Sequence, residues 1–382
     1  MIREQFLPLS RPDISDAEIN AVTEVLRSGW WTTGPIVTEF ENRVAEYLKE
    51  DRDLFTVALT SCTAGLHLSL VVLGIGPGDE VIVPTWTFAA TAQIVEWVGA
   101  KVVLCDIEDG ALNIDIRKAE KLINKKTKAI IPVHIAGYPC DLEGIKYLAS
   151  KYKIKVVEDA AHAFGAKYQN QKIGNFSDLS VFSFYATKNL ATGEGGMVVS
   201  RDKALVEKIR KKSYFGINKE AFKRYEKSGN WFYDIEECGY KYNFDSIHAA
   251  IGIAQIKRIE QMLARRREIA YFYRDRLKNY FSFTDDSSEH RHAYHLFLVR
   301  STSNQIGRDD IVNELKTRNI GSSVHYIPLH LHSYYKDRFP KDDFPVANAV
   351  FSGIFSIPLF SSMLLSDAEY VADSLIQILR GV

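Results

Sequence analysis

Seven short apolar runs, rich in β-branched residues, mark the first half of the chain. They are Val57-Ala-Leu-Thr, Glu80-Val-Ile-Val-Pro, Lys101-Val-Val-Leu-Cys-Asp, Ala129-Ile-Ile-Pro-Val-His, Lys155-Val-Val-Glu-Asp, Leu179-Ser-Val-Phe-Ser-Phe and Gly196-Met-Val-Val-Ser. Near-continuous runs of this kind suit strands buried on both faces, as in a mostly parallel sheet. Helical sequence separates the first five, so the layer they build is α/β; the last two have little helical sequence between them. Ahead of them, Ser15 with Glu18 three residues on forms a capping box that starts a helix. Ile19, Val22, Val25 and Leu26 give this helix an apolar stripe, Gly29 ends it, and a turn-rich loop runs from Gly29 to Pro35.

A different rhythm begins near Asp245. From there to Asn279 the pattern is helical and increasingly charged, and Arg265-Arg-Arg-Glu reads as a solvated helix face. A strand-like His295-Leu-Phe-Leu-Val-Arg, a helix-like stretch from Arg308 to Arg318 and a loop rich in His and Pro then form a smaller α+β unit. The expected organisation is a large lobe over residues 1–250, holding an N-terminal arm and a seven-stranded sheet, and a small lobe over 251–382. Length agrees, since 382 residues exceed what one core usually supports.

Hydrophobic residues make up 46% of the chain, and 48 basic side chains balance 48 acidic ones. A net charge of zero offers no field for a polyanion, so neither nucleic acid nor an anionic membrane is an expected partner. The four cysteines, Cys62, Cys105, Cys140 and Cys238, contain no C-x-x-C pair and point to no zinc or dithiol motif. Sparse cysteine fits a reducing cytoplasm. The segment from Met1 to Pro8 carries no apolar signal region, and no run reaches the ~18 apolar residues of a membrane span. A cytoplasmic protein is expected.

Reactive groups in open α/β sheets collect at the carboxyl ends of strands, and three predicted strand ends carry unusual residues. Thr60-Ser-Cys-Thr-Ala-Gly leads into an apolar helix. Small hydroxyl residues there leave N–H groups for a phosphate, although Ser61 or Thr63 could equally be a plain cap. Val157-Glu-Asp-Ala-Ala-His puts an acid at the end of a buried strand, which is costly unless a cation meets it, whether a pyridinium nitrogen or a structural Arg or Lys. Ser183-Phe-Tyr-Ala-Thr-Lys-Asn sets Lys188 just past an apolar strand and before the glycine-rich Gly193-Glu-Gly-Gly. In a closed pocket such a lysine can lose its proton and form a Schiff base; on the surface it would be ordinary.

Phosphate cup, acid and lysine, in that order and each after a strand, resemble the aspartate-aminotransferase (fold type I) arrangement of pyridoxal-phosphate enzymes. The finer motifs resemble the DegT/DnrJ/StrS-type sugar aminotransferase family. They are Ser28-Gly-Trp-Trp-Thr-Thr-Gly-Pro, Gly76-Pro-Gly-Asp-Glu-Val-Ile-Val-Pro and Ile131-Pro-Val-His-Ile-Ala-Gly, together with the strand ends above, Glu194-Gly-Gly and Gly239-Tyr-Lys-Tyr-Asn. The likeness runs from about Leu7 to about Leu379. Tyr240-Lys-Tyr-Asn, Arg265-Arg-Arg-Glu-Ile-Ala and Tyr334-Tyr-Lys-Asp-Arg-Phe-Pro are similar to the branch that makes UDP-4-amino-4-deoxy-L-arabinose.

The resemblance implies roles. Lys188 would carry pyridoxal phosphate covalently and later move protons. Asp159 would hold the pyridine nitrogen, and His162, one helical turn on, would sit near the ring and its phenolic oxygen. Phe88 falls where the family stacks an aromatic on the cofactor, with Trp86 a nearby rival. Thr63, Ala64 and Ser183 would bind the phosphate, while Asn243 would reach the phosphate of a neighbouring subunit, which implies a homodimer with shared sites. Trp31 and Thr32 would face the substrate, as would His325 and His330; the plainer reading of His330 is a satisfied loop histidine. Three loosely spaced histidines, His325, His330 and His332, make no metal site without a nearby cysteine or acid pair.

The implied reaction moves an amino group from L-glutamate to a nucleotide-linked keto-sugar for surface polysaccharide or lipid A sugars. C4 is favoured over C3, and UDP over other nucleotides. A pyridoxal-phosphate-binding regulatory protein without turnover is the alternative from another class. A nicotinamide dehydrogenase would need G-x-G-x-x-G after a first strand, and the chain has none there.

Overall fold

All seven predicted apolar runs become strands of one sheet. The computed structural model describes residues 3–217, 232–284, 287, 289–301 and 306–381. The chain forms β1 (Phe55–Leu59), β2 (Glu80–Pro84), β3 (Lys101–Cys105), β4 (Thr127–Ile130) and β5 (Lys155–Asp159), then a small hairpin of β6 (Lys167–Tyr168) and β7 (Gln171–Lys172), then β8 (Leu179–Ser183) and β9 (Gly196–Ser200). The seven-stranded order is β1-β9-β8-β5-β4-β2-β3. From β8 to β3 the strands run parallel, and β9 lies antiparallel between β8 and β1.

Helices α1 (Asp16–Ser28), α2 (Pro35–Leu48), α3 (Cys62–Val72), α4 (Ala89–Trp97), α5 (Ile116–Leu122), α6 (Leu142–Tyr152), α7 (Lys203–Lys212) and α8 (Ser246–Ile256) accompany the sheet. Two cores explain why its strands do not alternate. Val57, Leu59, Val81, Val83 and Val181 face one core with α3 and α4. Ala58, Ile82 and Phe182 face the other with α2 and α6. A strand covered on both faces must be apolar at every position. Gly65 lets α3 lie close on β8, because a Cβ there would come within 2.6 Å of Val181 Cγ1.

The Ser15–Glu18 capping box forms at α1, and Gly29 ends the helix in the left-handed region at φ 74°. Its apolar stripe is only partly covered. Val25 is buried, but Ile19 and Leu26 stay 57% and 45% exposed, because α8 packs against one side of α1 alone.

The charged helical stretch after Asp245 is two helices, α8 and α9 (Ile259–Leu277), and the expected lobe division at 250/251 falls inside α8. A second, antiparallel sheet follows, in the order β10 (Phe281–Phe283), β11 (Phe297–Ser301), β12 (Ile354–Ile357). Helices α10 (Arg308–Thr317), α11 (Pro345–Phe351) and α12 (Leu365–Arg380) complete this part. Its core gathers Tyr273, Phe297, Ile311, Phe355 and Leu375. Asp106, at the exit of β3, ties it to the large sheet by accepting the N–H groups of Val346 and Ala347 at the start of α11, 3.1 and 3.0 Å away.

Arg266 corrects the expectation of a solvated basic face. It is 3% exposed, and its Nη1 donates to the carbonyls of Tyr294, His295 and Leu359 at 3.3, 3.4 and 3.1 Å. A guanidinium enters a core only where such acceptors meet it, and charge counting along one helix cannot show carbonyls that arrive from elsewhere.

The N-terminal arm, expected with the large lobe, joins the small one. Leu7 donates to the Asn319 carbonyl and accepts from the Gly321 N–H, both at 2.8 Å, and the Leu9 carbonyl accepts from Leu359 at 3.1 Å. Ser10 Oγ then reaches the Thr187 carbonyl at 3.4 Å. Among the described residues no helix is long and apolar enough to cross a membrane.

One buried pair clamps α2, β1 and α7 together. Glu41 accepts from both Nη atoms of Arg210 at 2.9 Å and from the Ala58 N–H at 2.8 Å. Glu41→Ala should cost about 2–4 kcal/mol of unfolding free energy, below the full range for a broken buried pair because Arg210 keeps a third of its side chain in solvent. Urea denaturation measures this, and a loss under about 0.5 kcal/mol, the scale of an ordinary surface change, would contradict it.

Candidate active site

The three key side chains meet where β5 and β8 end beside the segment that leads into β11. Lys188 lies in the turn after β8, held by its N–H to the Tyr185 carbonyl at 2.8 Å. Its side chain is half-buried, and Nζ lies 3.4 Å from His295 Nε2. Burial lowers its pKa to about 8, against the opposing pull of Cys62 and Asp159. An amine so close to neutrality is a usable nucleophile.

Asp159 closes β5 and is buried. One carboxylate oxygen accepts from Thr91 Oγ1 at 2.7 Å and the other from the Ala161 N–H at 3.2 Å. Burial raises its pKa in spite of those donors and of nearby Lys188. Among the described residues no lysine or arginine forms an ion pair with it, although Lys188 is near enough to act on its charge. His162 is buried two positions past Ala160, with Nε2 3.0 Å from the Tyr326 hydroxyl. Burial and the Lys188 charge push its pKa well down, so its ring is neutral.

The phosphate cup is built at the start of α3. Ser61 caps the helix, its Oγ accepting from the Ala64 N–H at 3.1 Å, so Ala64 spends its donor internally. The N–H groups of Cys62 and Thr63 have no acceptor among the described residues. Gly196 packs against this turn so tightly that a Cβ would fall 2.4 Å from the Cys62 nitrogen. Ser183, buried at the end of β8, accepts weakly from the Tyr185 N–H at 3.4 Å.

Phe88, just ahead of α4, is 62% exposed, and its ring lies 6.0 Å from that of Tyr326. The rival Trp86 is fully buried and packs edge-on to Phe351, so its faces are committed to the core. Near Lys188, burial and the lysine charge lower the His325 pKa to about 4, and its Nδ1 lies 2.8 Å from Ser356 Oγ.

His330 has both ring nitrogens engaged within the chain, as the plainer of its two expected readings has it. It is 1% exposed, with Nδ1 2.7 Å from Thr85 Oγ1 and Nε2 3.0 Å from Asn348 Oδ1, and it stacks on Phe344. Both nitrogens are used, so none is left for a ligand. The remaining expected residues have partners of their own within the chain. Asn243 donates to Thr33 Oγ1 at 2.7 Å and accepts from Lys241. Exposed Trp31 donates to the Leu26 carbonyl, and the Thr32 carbonyl accepts from Ser246 Oγ.

Three residues that sequence reasoning missed complete the pocket: Thr91, His295 and Tyr326. Thr91 lies in the first turn of α4, His295 just before an apolar strand, and Tyr326 next to His325. A polar residue abutting an apolar strand was the available signal for His295, the same signal that marks Asp159.

These residues fit pyridoxal phosphate. Asp159 is a buried carboxylate with no ion pair among the described residues, Lys188 a weakly basic amine, and the α3 turn offers N–H groups with no acceptor among those residues, beside a glycine that permits close approach. His162 Nδ1 and His295 Nδ1 are also buried with no partner among the described residues.

Comparison with known proteins agrees. A sequence profile of the DegT/DnrJ/EryC1/StrS aminotransferase family matches residues 12–376. The chain is 46% identical over 380 residues to an uncharacterized protein of Methanocaldococcus jannaschii, covering 98% of each. It is 42% identical over 388 residues to the spore coat polysaccharide biosynthesis protein SpsC of Bacillus subtilis, covering 99% of this chain and 98% of that one. A putative sugar aminotransferase from Streptococcus pneumoniae, solved in its PMP form, superposes with a TM-score of 0.92 at 33% identity, over 98% of this chain and 99% of that one. The chain belongs to the DegT/DnrJ/EryC1/StrS aminotransferase family. It has fold type I and is a sugar aminotransferase dependent on pyridoxal phosphate, a reaction that needs a keto-sugar and an amino donor.

The lowered pKa of Lys188 has a direct readout. In cofactor-free protein, acylation of Lys188 by acetic anhydride should rise with pH through a midpoint near 8, well below the ~10.4 of an ordinary lysine. Mass spectrometry of the labelled peptide follows it, and a midpoint near the ordinary value would show that the pocket is wet.

Proposed function

We propose that this member of the family transfers the amino group of L-glutamate to C4 of a nucleotide-linked keto-sugar, with UDP the favoured nucleotide. The product would enter a surface polysaccharide or lipid A sugar, and the enzyme would work in the cytoplasm as a homodimer with shared sites. The observation that carries this reading is the grouping of half-buried Lys188 with buried Asp159 and His162, with no ion pair to Asp159 among the described residues. The printed role of SpsC in spore coat polysaccharide biosynthesis supports the sugar destination. The apolar side chains of Ile19, Leu26 and Trp31, left exposed on one face of the chain, support a covering second copy.

In this reading Lys188 binds the cofactor covalently between turnovers. Asp159 would face the pyridine nitrogen, where its negative charge keeps a proton on that nitrogen. The start of α3 would take the phosphate, chiefly through the Thr63 N–H, with Ser183 and with Ala64 once its N–H turns from Ser61 to the phosphate, and Asn243 would serve the partner's phosphate. Phe88 offers a large exposed ring for stacking. Bound there, pyridoxal phosphate would supply the electron sink that makes a carbon–nitrogen bond exchangeable.

The chain's own task is proton handling and exclusion of water. Once released, the Lys188 amine can take the proton from the α-carbon of the donor, because burial keeps that amine weakly basic. In the return direction the same nitrogen would deliver a proton to the sugar carbon that receives the amine, so no second base is required. His162 and His325, both kept neutral by burial, add no competing positive charge beside the lysine. Trp31 and Thr32 would contact the sugar nucleotide from the neighbouring subunit.

Lys188→Ala should lower formation of 2-oxoglutarate from L-glutamate by at least about a thousandfold while the folded state persists. Coupled assay and circular dichroism read the two outcomes, and retained turnover would refute the role of Lys188. Loading the enzyme with the amino form of the cofactor and adding a panel of keto-sugar nucleotides identifies the acceptor. Discharge by 3-keto but not 4-keto compounds would refute the C4 assignment.

A further inference from the structure

The Lys188 side chain touches one group that the reading above leaves unused. His295 Nε2 lies 3.4 Å from Lys188 Nζ, and its ring lies 4.4 Å from that of His162, tilted by 40°. Its backbone is fixed on both sides. The His295 N–H donates to the Ala136 carbonyl at 2.9 Å, and the carbonyls of Tyr294 and His295 accept from buried Arg266. The turn that receives this segment is itself specialised. Ala136 and Gly137 both have positive φ, at 56° and 96°, and a Cβ on Gly137 would fall 2.7 Å from the His162 carbonyl and 3.0 Å from Ala293 Cβ. The motif Ile131-Pro-Val-His-Ile-Ala-Gly thus forms a dock that brings His295 onto the lysine.

We propose that His295 is a positioning residue for Lys188, whose Nε2 accepts a hydrogen bond from the Lys188 amine whenever that amine is not bonded to the cofactor. The proposal rests on the assignment of Lys188 as the covalent residue. No bond is made or broken by His295 and no proton changes owner. Burial and the adjacent lysine charge hold its pKa well below the ordinary histidine value, whereas Lys188 sits at about 8, so a shared proton stays on the lysine. The other titratable groups around Lys188 are Cys62, Asp159, His162 and His325. Of these, Asp159 is occupied by Thr91 and Ala161, His162 Nε2 by Tyr326, and His325 Nδ1 by Ser356. His295 is the group whose nitrogen lies within hydrogen-bond distance of Nζ. Parking the amine there would keep it near the reacting carbons and away from Asp159, where an ion pair would disable both.

Two amide substitutions separate this role from simple packing. In His295→Gln the side-chain amide reaches the former Nε2 position, whereas in His295→Asn it stops at the Nδ1 position. Both are polar and of similar burden on the fold. Borohydride reduction of the loaded enzyme with peptide mapping first locates the covalent lysine. In cofactor-free protein the acylation midpoint of Lys188 is then compared. The Gln variant should keep the midpoint and stay within about threefold of native turnover. The Asn variant should shift the midpoint downward, because the ammonium loses its acceptor, and lose at least about tenfold in kcat with little change in KM for L-glutamate. Gln and Asn variants that match each other, both active or both inactive, overturn the proposal while the labelled Lys188 stands. Label on another lysine overturns the Lys188 assignment and this proposal with it.

Discussion

A lysine amine and an aspartate carboxylate share one buried pocket without closing an ion pair, and most of the architecture serves to keep them so. Left to themselves in a medium of low dielectric, the two charges would attract strongly and satisfy each other. The fold prevents this by placing each on its own strand end. Asp159 is fixed at the end of β5 by Thr91 and the Ala161 N–H, and Lys188 by the turn after β8. The parallel pairing of β5 with β8, Asp159 opposite Val181, sets the spacing between those ends. Two hydrophobic cores on opposite faces of the sheet make that register rigid.

The strands were legible because burial on both faces leaves a signature in composition: seven apolar runs, seven strands. Lys188 and Asp159 were legible because each follows such a run and both appear in a fixed order. What stayed hidden was whatever depends on a segment arriving from far along the chain. His295 meets Lys188 across 107 positions, and Tyr326 meets His162 across 164. Arg266 looked solvated because its neighbours on α9 are charged, while the carbonyls that hold it come from 294, 295 and 359. No local pattern records such meetings.

Histidine illustrates the same limit from another side. His330 and His295 are both buried, and both lie in the second half of the chain. One has two satisfied nitrogens and is a structural pin between Thr85 and Asn348. The other has one nitrogen on Lys188 and one without a partner. Residue type cannot tell the two apart; the count of available partners can. The pair Trp86 and Phe88 differs in the same manner, since two positions along the chain one ring is inside the core and the other lies open.

The arm that runs from Leu7 to Ser10 has a bearing on how the protein is made. Its partners, Asn319, Gly321 and Leu359, lie more than 300 positions later. Domains emerging from a ribosome tend to fold in order from the N-terminus, yet here an earlier segment must wait for a later lobe. Until Asn319, Gly321 and Leu359 have been made, that segment has nowhere to dock, and the Thr187 carbonyl beside the lysine lacks its Ser10 contact. Nascent chains would therefore carry a finished sheet and an unfinished pocket until the segment around Leu359 has been made.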